Sequence, residues 1–296
     1  MTGVLTAARA LIVASRPLSW INTAYPFAAV MILTTGDIDV TTVVGTLFFL
    51  VPYNLLMYGV NDVFDYASDI ANPRKGGVEG AMLPPRLHRT TLFAATALTA
   101  PFVVALAWLG AERPESWAML GVSLFAVIAY SAPGLRFKEV PLLDSVTSST
   151  HFVTPALCAI ALAGTTLTTP LIVSLTAFFL WGMASHAFGA VQDIVPDRRA
   201  GIGSIATALG AAPTVRLTVA LWSGAGALML FTPWPAALVA AVAVPYVASA
   251  LPYIRVSDER SGSVHRAWRR FLVINYAAGA AVTILLIVGA TEGLFS

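Results

Sequence analysis

Charge is scarce in this chain and cysteine nearly absent. Only 11% of its 296 residues are Asp, Glu, Lys or Arg, against roughly a quarter in a soluble domain, so a conventional water-facing surface is excluded. The one cysteine, Cys158, lies in an apolar run; it excludes an intramolecular disulfide and reads as a small core residue. No repeat relates the two halves, which weighs against the inverted-repeat architecture of many transporters. The net charge of +2 and pI near 8.8 are too modest for a nucleic-acid surface, and no nucleic acid is expected as a partner.

What fills the chain is apolar sequence, 57% of residues, with a mean hydropathy of +0.79. A helix needs roughly 20 mostly apolar residues to cross a bilayer. Windows of that kind predict an all-α membrane protein with nine spans, near residues 17–34, 41–60, 90–110, 116–132, 145–163, 170–190, 213–231, 233–251 and 271–290. An eight-span count is the alternative, since the seventh and eighth are joined only by Thr232-Pro233-Trp234-Pro235. Basic residues collect in cytoplasmic loops. On nine spans, every Lys and Arg except Arg113 falls on one side, which predicts a cytoplasmic N-terminus in a multi-pass protein of the plasma membrane. Arg16-Pro17 interrupts the first apolar run and no small-residue cleavage site follows, so the first span is expected to stay in the mature protein.

Against this background five of the fifteen acidic residues crowd into two short clusters, both on the predicted cytoplasmic side. The first is Asn61-Asp62-x-x-Asp65-x-x-x-Asp69. Asn61, Asp65 and Asp69 are spaced i, i+4, i+8 and share one helix face, while Asp62 is rotated by about 100° and must cap, pair with a base or join from the side. Asn72-Pro73 breaks the stretch, and Arg74-Lys75-Gly76-Gly77 follows as a basic loop. The second cluster, Gln192-Asp193-x-x-x-Asp197, closes the sixth span with Pro196 inside it and Arg198-Arg199 beyond. Carboxylates this dense beside apolar sequence need neutralising. Hard oxygen donors suit Mg²⁺, which keeps waters and binds through one or two carboxylates plus substrate phosphates. Two such faces with neighbouring bases suit a diphosphate carried by metal ions.

Both clusters, with Tyr130-Ser131-x-Pro133-x-x-Arg136-x-Lys138 between them, resemble the motif set of UbiA-type intramembrane prenyltransferases, in the same order and over nearly the whole chain. The resemblance implies a single domain over residues 1–296 with nine transmembrane helices around a central cavity, an isoprenyl diphosphate bound through Mg²⁺ on the cytoplasmic side, and transfer of the prenyl group to a lipophilic acceptor. The segments Asn72 to Gly77, Leu135-Arg136-Phe137-Lys138-Glu139, Ser148 to Pro155 and Asp197 to Ile202 are similar to the lycopene elongase branch. That branch attaches dimethylallyl groups to the ends of lycopene.

By this resemblance Asn61, Asp65 and Asp69 hold one Mg²⁺, Asp193 and Asp197 another, and Asp65 and Asp193 are the central catalytic carboxylates. Arg74, Lys75, Tyr130, Arg136 and Lys138 bind the diphosphate of dimethylallyl diphosphate. Ionisation leaves an allyl cation, which survives only where water is excluded and π-electrons face it; Tyr53, Tyr58, Tyr130, Trp181 and Phe188 are available as walls. Asn22, His151 and His186 are polar groups within predicted spans and therefore cavity candidates, whereas His88 and His265 fall in basic loops and read as solvated. Small-residue runs such as Gly224-Ala225-Gly226 and Ala277 to Ala281 read as close helix packing. Two other functions fit the same sequence: a UbiA-type enzyme with an aromatic, quinone or tetrapyrrole acceptor, and a transporter of an anionic metabolite.

Overall fold

The computed structural model describes residues 2–66, 70 and 82–291, with side chains from residue 7 onward. Asp69, Arg74 and Lys75 lie outside the described residues. Every regular element among those described is helical. Six helical segments are long and apolar enough to cross a membrane: Val40–Phe64, Pro85–Leu109, Leu143–Ala163, Thr169–Val191, Ala236–Tyr253 and Asp258–Thr291. The other three expected spans fall on Trp20–Thr35, Pro114–Ser131 and Ala211–Met229, which are shorter or carry more polar side chains.

The chain forms two units. The first, Met1–Phe137 with His151–Thr166, contains α1 (Thr2–Ala14), α2 (Trp20–Thr35), α3 (Val40–Leu50), α4 (Pro52–Phe64), α5 (Pro85–Leu109), α6 (Pro114–Ser131) and the C-terminal part of α7 (Leu143–Ala163). Asp39 caps α3, its carboxylate accepting the Thr42 backbone N–H at 2.8 Å. That bond holds the carboxyl below its ordinary pKa. Pro52 cannot donate to the helical ladder, so α3 breaks into α4 there. The buried Asn54 amide repairs the break by donating to Phe49 O at 2.8 Å, Leu50 O at 3.0 Å and Thr23 Oγ1 at 2.7 Å, which fastens α2 as well. The core is aromatic: Phe48, Phe49 and Tyr53 meet edge-on at ring distances of 4.7 to 5.8 Å, and the Phe27 ring fills the place a Cβ at Gly45 would take.

The second unit, Lys138–Thr150 with Leu167–Ser296, holds the start of α7, then α8 (Thr169–Val191), α9 (Ile194–Ala200), α10 (Ile205–Leu209) and α11 (Ala211–Met229). A 3₁₀ stretch, Ala236–Val242, runs into α12 (Ala243–Ala250), and another, Asp258–Val264, into α13 (His265–Thr291). Phe188, Trp222, Tyr246, Phe271 and Trp268 pack ring against ring, from 4.7 Å for Trp268–Phe271 to 6.0 Å for Trp222–Phe271. Tyr53 and Phe188, expected as walls for a cation, are instead fully buried core residues.

The reading of the small-residue runs divides. At Gly226 a Cβ would sit 2.7 Å from Ala243 Cβ and 3.1 Å from Ala240 O, so α11 and the Ala236–Ala250 stretch pack as closely as expected. Gly224 and Gly279 have open space instead, and most of Ala277 to Ala281 is exposed. Gly226→Val is expected to cost about 1–3 kcal/mol through overpacking, read as a lower thermal midpoint in detergent, whereas Gly224→Val should leave it nearly unmoved.

Candidate active site

In the first unit α4 delivers Asn61 and Asp62 in its last turn and ends at Asp65, which takes the C-cap with φ −96° and ψ −3°. The Asp65 N–H donates to Asn61 O at 2.9 Å, so the i, i+4 pair faces one way, as its spacing requires. Ser131, at the end of α6, donates to Asn61 Oδ1 at 2.9 Å and fixes the amide with its oxygen as acceptor. Beyond Ser131 the chain turns at Gly134, with φ +89°, and Arg136, with φ +42°. That tight bend returns the Arg136 guanidinium to within 3.5 Å of Asp65 Oδ1. A non-glycine residue held in the left-handed region carries backbone strain, which persists where surrounding structure imposes it, often at functional sites.

Asp62 turns the other way. It is 1% exposed and accepts from Arg16 Nη2 at 3.0 Å, while the same guanidinium lies 4.2 Å from the centre of the Tyr58 ring. Of the roles its rotation left open, pairing with a base is the one found. Tyr130 stands edge-on to His151, with ring centres 5.3 Å apart; His151 is buried. Asn22 is exposed, which corrects its reading as a cavity residue: Asn54, two helices later on α4, is a buried amide of the same unit.

In the second unit the acidic cluster does not lie on one unbroken helix. α8 stops at Val191, Gln192 caps it, and Asp193, with φ −96° and ψ −4°, begins α9. The Asp193 N–H donates to Ala190 O at 3.1 Å, tightening the turn, and the Asp197 N–H donates to Asp193 O at 2.9 Å. Pro196 is accommodated in the first turn of α9, where backbone N–H groups have no intrahelical partner. Asp193 and Asp197 are both half-buried, as is Lys138.

Several neighbours are committed elsewhere. Arg198, expected beside the diphosphate, donates to Asp258 Oδ2 at 2.6 Å and to Thr207 O at 2.9 Å, and Asp258 Oδ1 takes the Ala211 N–H at the start of α11. This is a brace between loops. His265 is not simply solvated: its Nδ1 is 2.8 Å from Gln192 Oε1. His88 likewise lies 3.0 Å from Leu83 O and edge-on to Tyr66. His186 lies on α8, ahead of the break that leads into the cluster, and its Nε2 is 3.5 Å from Asp144 Oδ2. Asp144 is wholly buried and accepts the Ser145 and Ile205 backbone N–H groups at 2.7 Å each. Sequence reading missed Asp144, although an acid at the mouth of a predicted span is a signal of its own.

A family model described as the UbiA prenyltransferase family matches residues 23–288. The chain belongs to the UbiA prenyltransferase family. A lycopene elongase/hydratase of Corynebacterium glutamicum is 48% identical over 279 residues, 94% of this chain and 96% of that protein. A C(50) beta-cyclic carotenoids biosynthesis protein of Dietzia sp. is 50% identical over 282 residues, 95% of this chain but 64% of that longer protein. Among solved structures, a UbiA homolog from Archaeoglobus fulgidus bound to DMAPP and Mg²⁺ matches with a TM-score of 0.58 at 17% identity, covering 93% of this chain and 99% of that one. At that identity the likeness is one of fold. As a UbiA-family member the chain is a prenyltransferase with a multi-pass, all-helical membrane fold.

The donor chemistry present fits the Mg²⁺ expected of the acidic clusters. No three His, Cys, Asp or Glu side chains among the described residues converge into a cage. Mg²⁺ needs none, since it retains waters and takes one or two carboxylates together with substrate phosphate oxygens. Asn61 and Asp65 offer hard oxygens on one face, and Arg136 beside Asp65 supplies positive charge for a phosphate.

Proposed function

We propose that this prenyltransferase is a Mg²⁺-dependent lycopene elongase, transferring dimethylallyl groups from dimethylallyl diphosphate to the ends of lycopene with release of pyrophosphate. The observation that carries the reading is the 48% identity sustained over 94% of the chain with a lycopene elongase/hydratase. The Dietzia relative, named for C(50) carotenoid biosynthesis, and the DMAPP and Mg²⁺ complex of the Archaeoglobus homolog support it. We assign Asn61, Asp65 and Asp69 to one Mg²⁺ and Asp193 and Asp197 to another, with Tyr130, Arg136, Lys138, Arg74 and Lys75 as diphosphate ligands. The proposal includes one domain of nine spans in the plasma membrane with its N-terminus and acidic clusters on the cytoplasmic side.

Bound Mg²⁺ would neutralise charge building on the departing pyrophosphate. Arg136 is placed to add to that effect, which acts on the transition state because the charge develops only as the C–O bond lengthens. Ser131 holds the Asn61 carboxamide oxygen in register at 2.9 Å. The Arg16–Asp62 pair at 3.0 Å anchors the turn of α4 that carries Asn61 and Asp65, so neither has to be ordered when substrate arrives.

Expression in a host that accumulates lycopene, followed by mass analysis of extracted pigments, tests the proposal. New C45 and C50 carotenoids are the expected result. Unchanged lycopene, with the protein present in the membrane, would overturn the acceptor.

A further inference from the structure

We infer that His186, backed by the buried carboxylate of Asp144, is the base that ends the reaction. The inference rests on the elongase reading above and supplies what that reading lacks, a destination for the last proton. When the allylic C–O bond breaks, its electron pair leaves with pyrophosphate. The terminal π-bond of the acceptor then forms the new C–C bond and leaves a tertiary cation. Turnover requires an adjacent C–H bond to break, its pair becoming a new double bond and its proton going to a basic atom. If water adds instead, an O–H proton needs the same acceptor.

Three observations point to His186. It stands five residues before the end of α8 and seven before Asp193, which follows the break at Gln192. Those five helical residues set it about 7 Å deeper along the α8 axis than the turn that carries Asp193. A five-carbon chain anchored by its diphosphate near Asp193 would end at about that depth. Its side chain keeps 20% exposure, whereas Asp144 has none, so the imidazole is the reachable member of the pair. Asp144 is held rigidly: two backbone N–H groups at 2.7 Å fix both carboxylate oxygens, and Oδ2 also faces the imidazole at 3.5 Å. A fully buried carboxylate is costly without compensation. Here it orients the ring and supplies the counter-charge once the ring is protonated, the arrangement by which an acid supports a histidine base in acyl-transfer triads. His151, by comparison, is 3% exposed and packed against Tyr130.

The test compares wild type, His186→Gln and Asp144→Asn in membranes supplied with Mg²⁺, dimethylallyl diphosphate and lycopene. Pyrophosphate and prenylated carotenoid are measured in the same reaction. His186→Gln should lower carotenoid product at least about 10-fold more than pyrophosphate, because ionisation no longer leads to completed transfer; Asp144→Asn should show a smaller split in the same direction. Equal loss of both products in His186→Gln, with wild type active, would mark the pair as a structural brace and overturn the assignment. Should His186→Gln fail to insert, His186→Ala with added imidazole gives the same reading: recovered carotenoid at unchanged pyrophosphate supports the base, and no recovery overturns it. A wild type that makes neither C45 nor C50 overturns the elongase proposal, and this inference with it.

Discussion

Asp65→Ala is expected to lower turnover at least about 10²-fold, and Asp193→Ala by as much, while both proteins still insert and retain their helix content. Removing one preorganised group that stabilises transition-state charge costs on the order of 10²–10³ in rate. Here each substitution removes a carboxylate assigned to a metal as well. Asp65 also faces Arg136 at 3.5 Å, so its loss removes one of the contacts that position that guanidinium. Pyrophosphate release in detergent with Mg²⁺ and dimethylallyl diphosphate is the direct assay, with circular dichroism as the check on folding. Activity retained in both variants would overturn the metal assignment.

The largest expected effect on stability is at Arg16. Its side chain is 19% exposed and that of Asp62 wholly buried, so Arg16→Ala takes a guanidinium away from a buried carboxylate. Breaking a buried pair from one side costs about 3–5 kcal/mol; partial exposure of Arg16 places the expectation at the lower end, about 3 kcal/mol. Loss of the guanidinium over the Tyr58 ring, 4.2 Å away, adds to it. Thermal unfolding in detergent should show a clear fall in midpoint. Asp62→Asn introduced into the Arg16→Ala protein should recover much of it, because the buried negative charge is then removed. A midpoint unchanged in Arg16→Ala would mean that Asp62 is held by its other contacts and not by Arg16.

Much of this was legible in the sequence wherever the information is local. Hydropathy placed the expected spans in helical sequence, six of them on segments long and apolar enough to cross a membrane, and the i, i+4 spacing put Asn61 and Asp65 on one face because the backbone bond between them is helical. Local periodicity could not show that α8 stops before Asp193, since Gln192 and Asp193 carry no helix-breaking side chain and the turn tightens only in its hydrogen bonding. Nor could it tell Asn22 from Asn54, two amides in apolar runs, one exposed and one buried. Which of them faces the interior depends on how α2 rotates against α3 and α4. Partners far apart in sequence were the least accessible. Arg16 finds Asp62 46 residues away, and Arg198 finds Asp258 60 residues away, so a base that adjoins the acidic cluster in sequence serves a loop instead.

Asp65 and Asp193 occupy almost the same backbone conformation, φ −96° with ψ −3° or −4°, Asp65 at the C-cap of α4 and Asp193 at the junction of α8 and α9. Their carboxylates are therefore aimed by rotational phase and not by side-chain reach. Adding one residue to α4 or α8 ahead of them would swing either acid by about 100° and remove it from its register. Exchanges of side chain elsewhere on the same helices leave that phase unchanged as long as the helix keeps its length. Such a layout separates two design problems, letting side chains along each helix diverge while the proposed diphosphate end keeps its bearings.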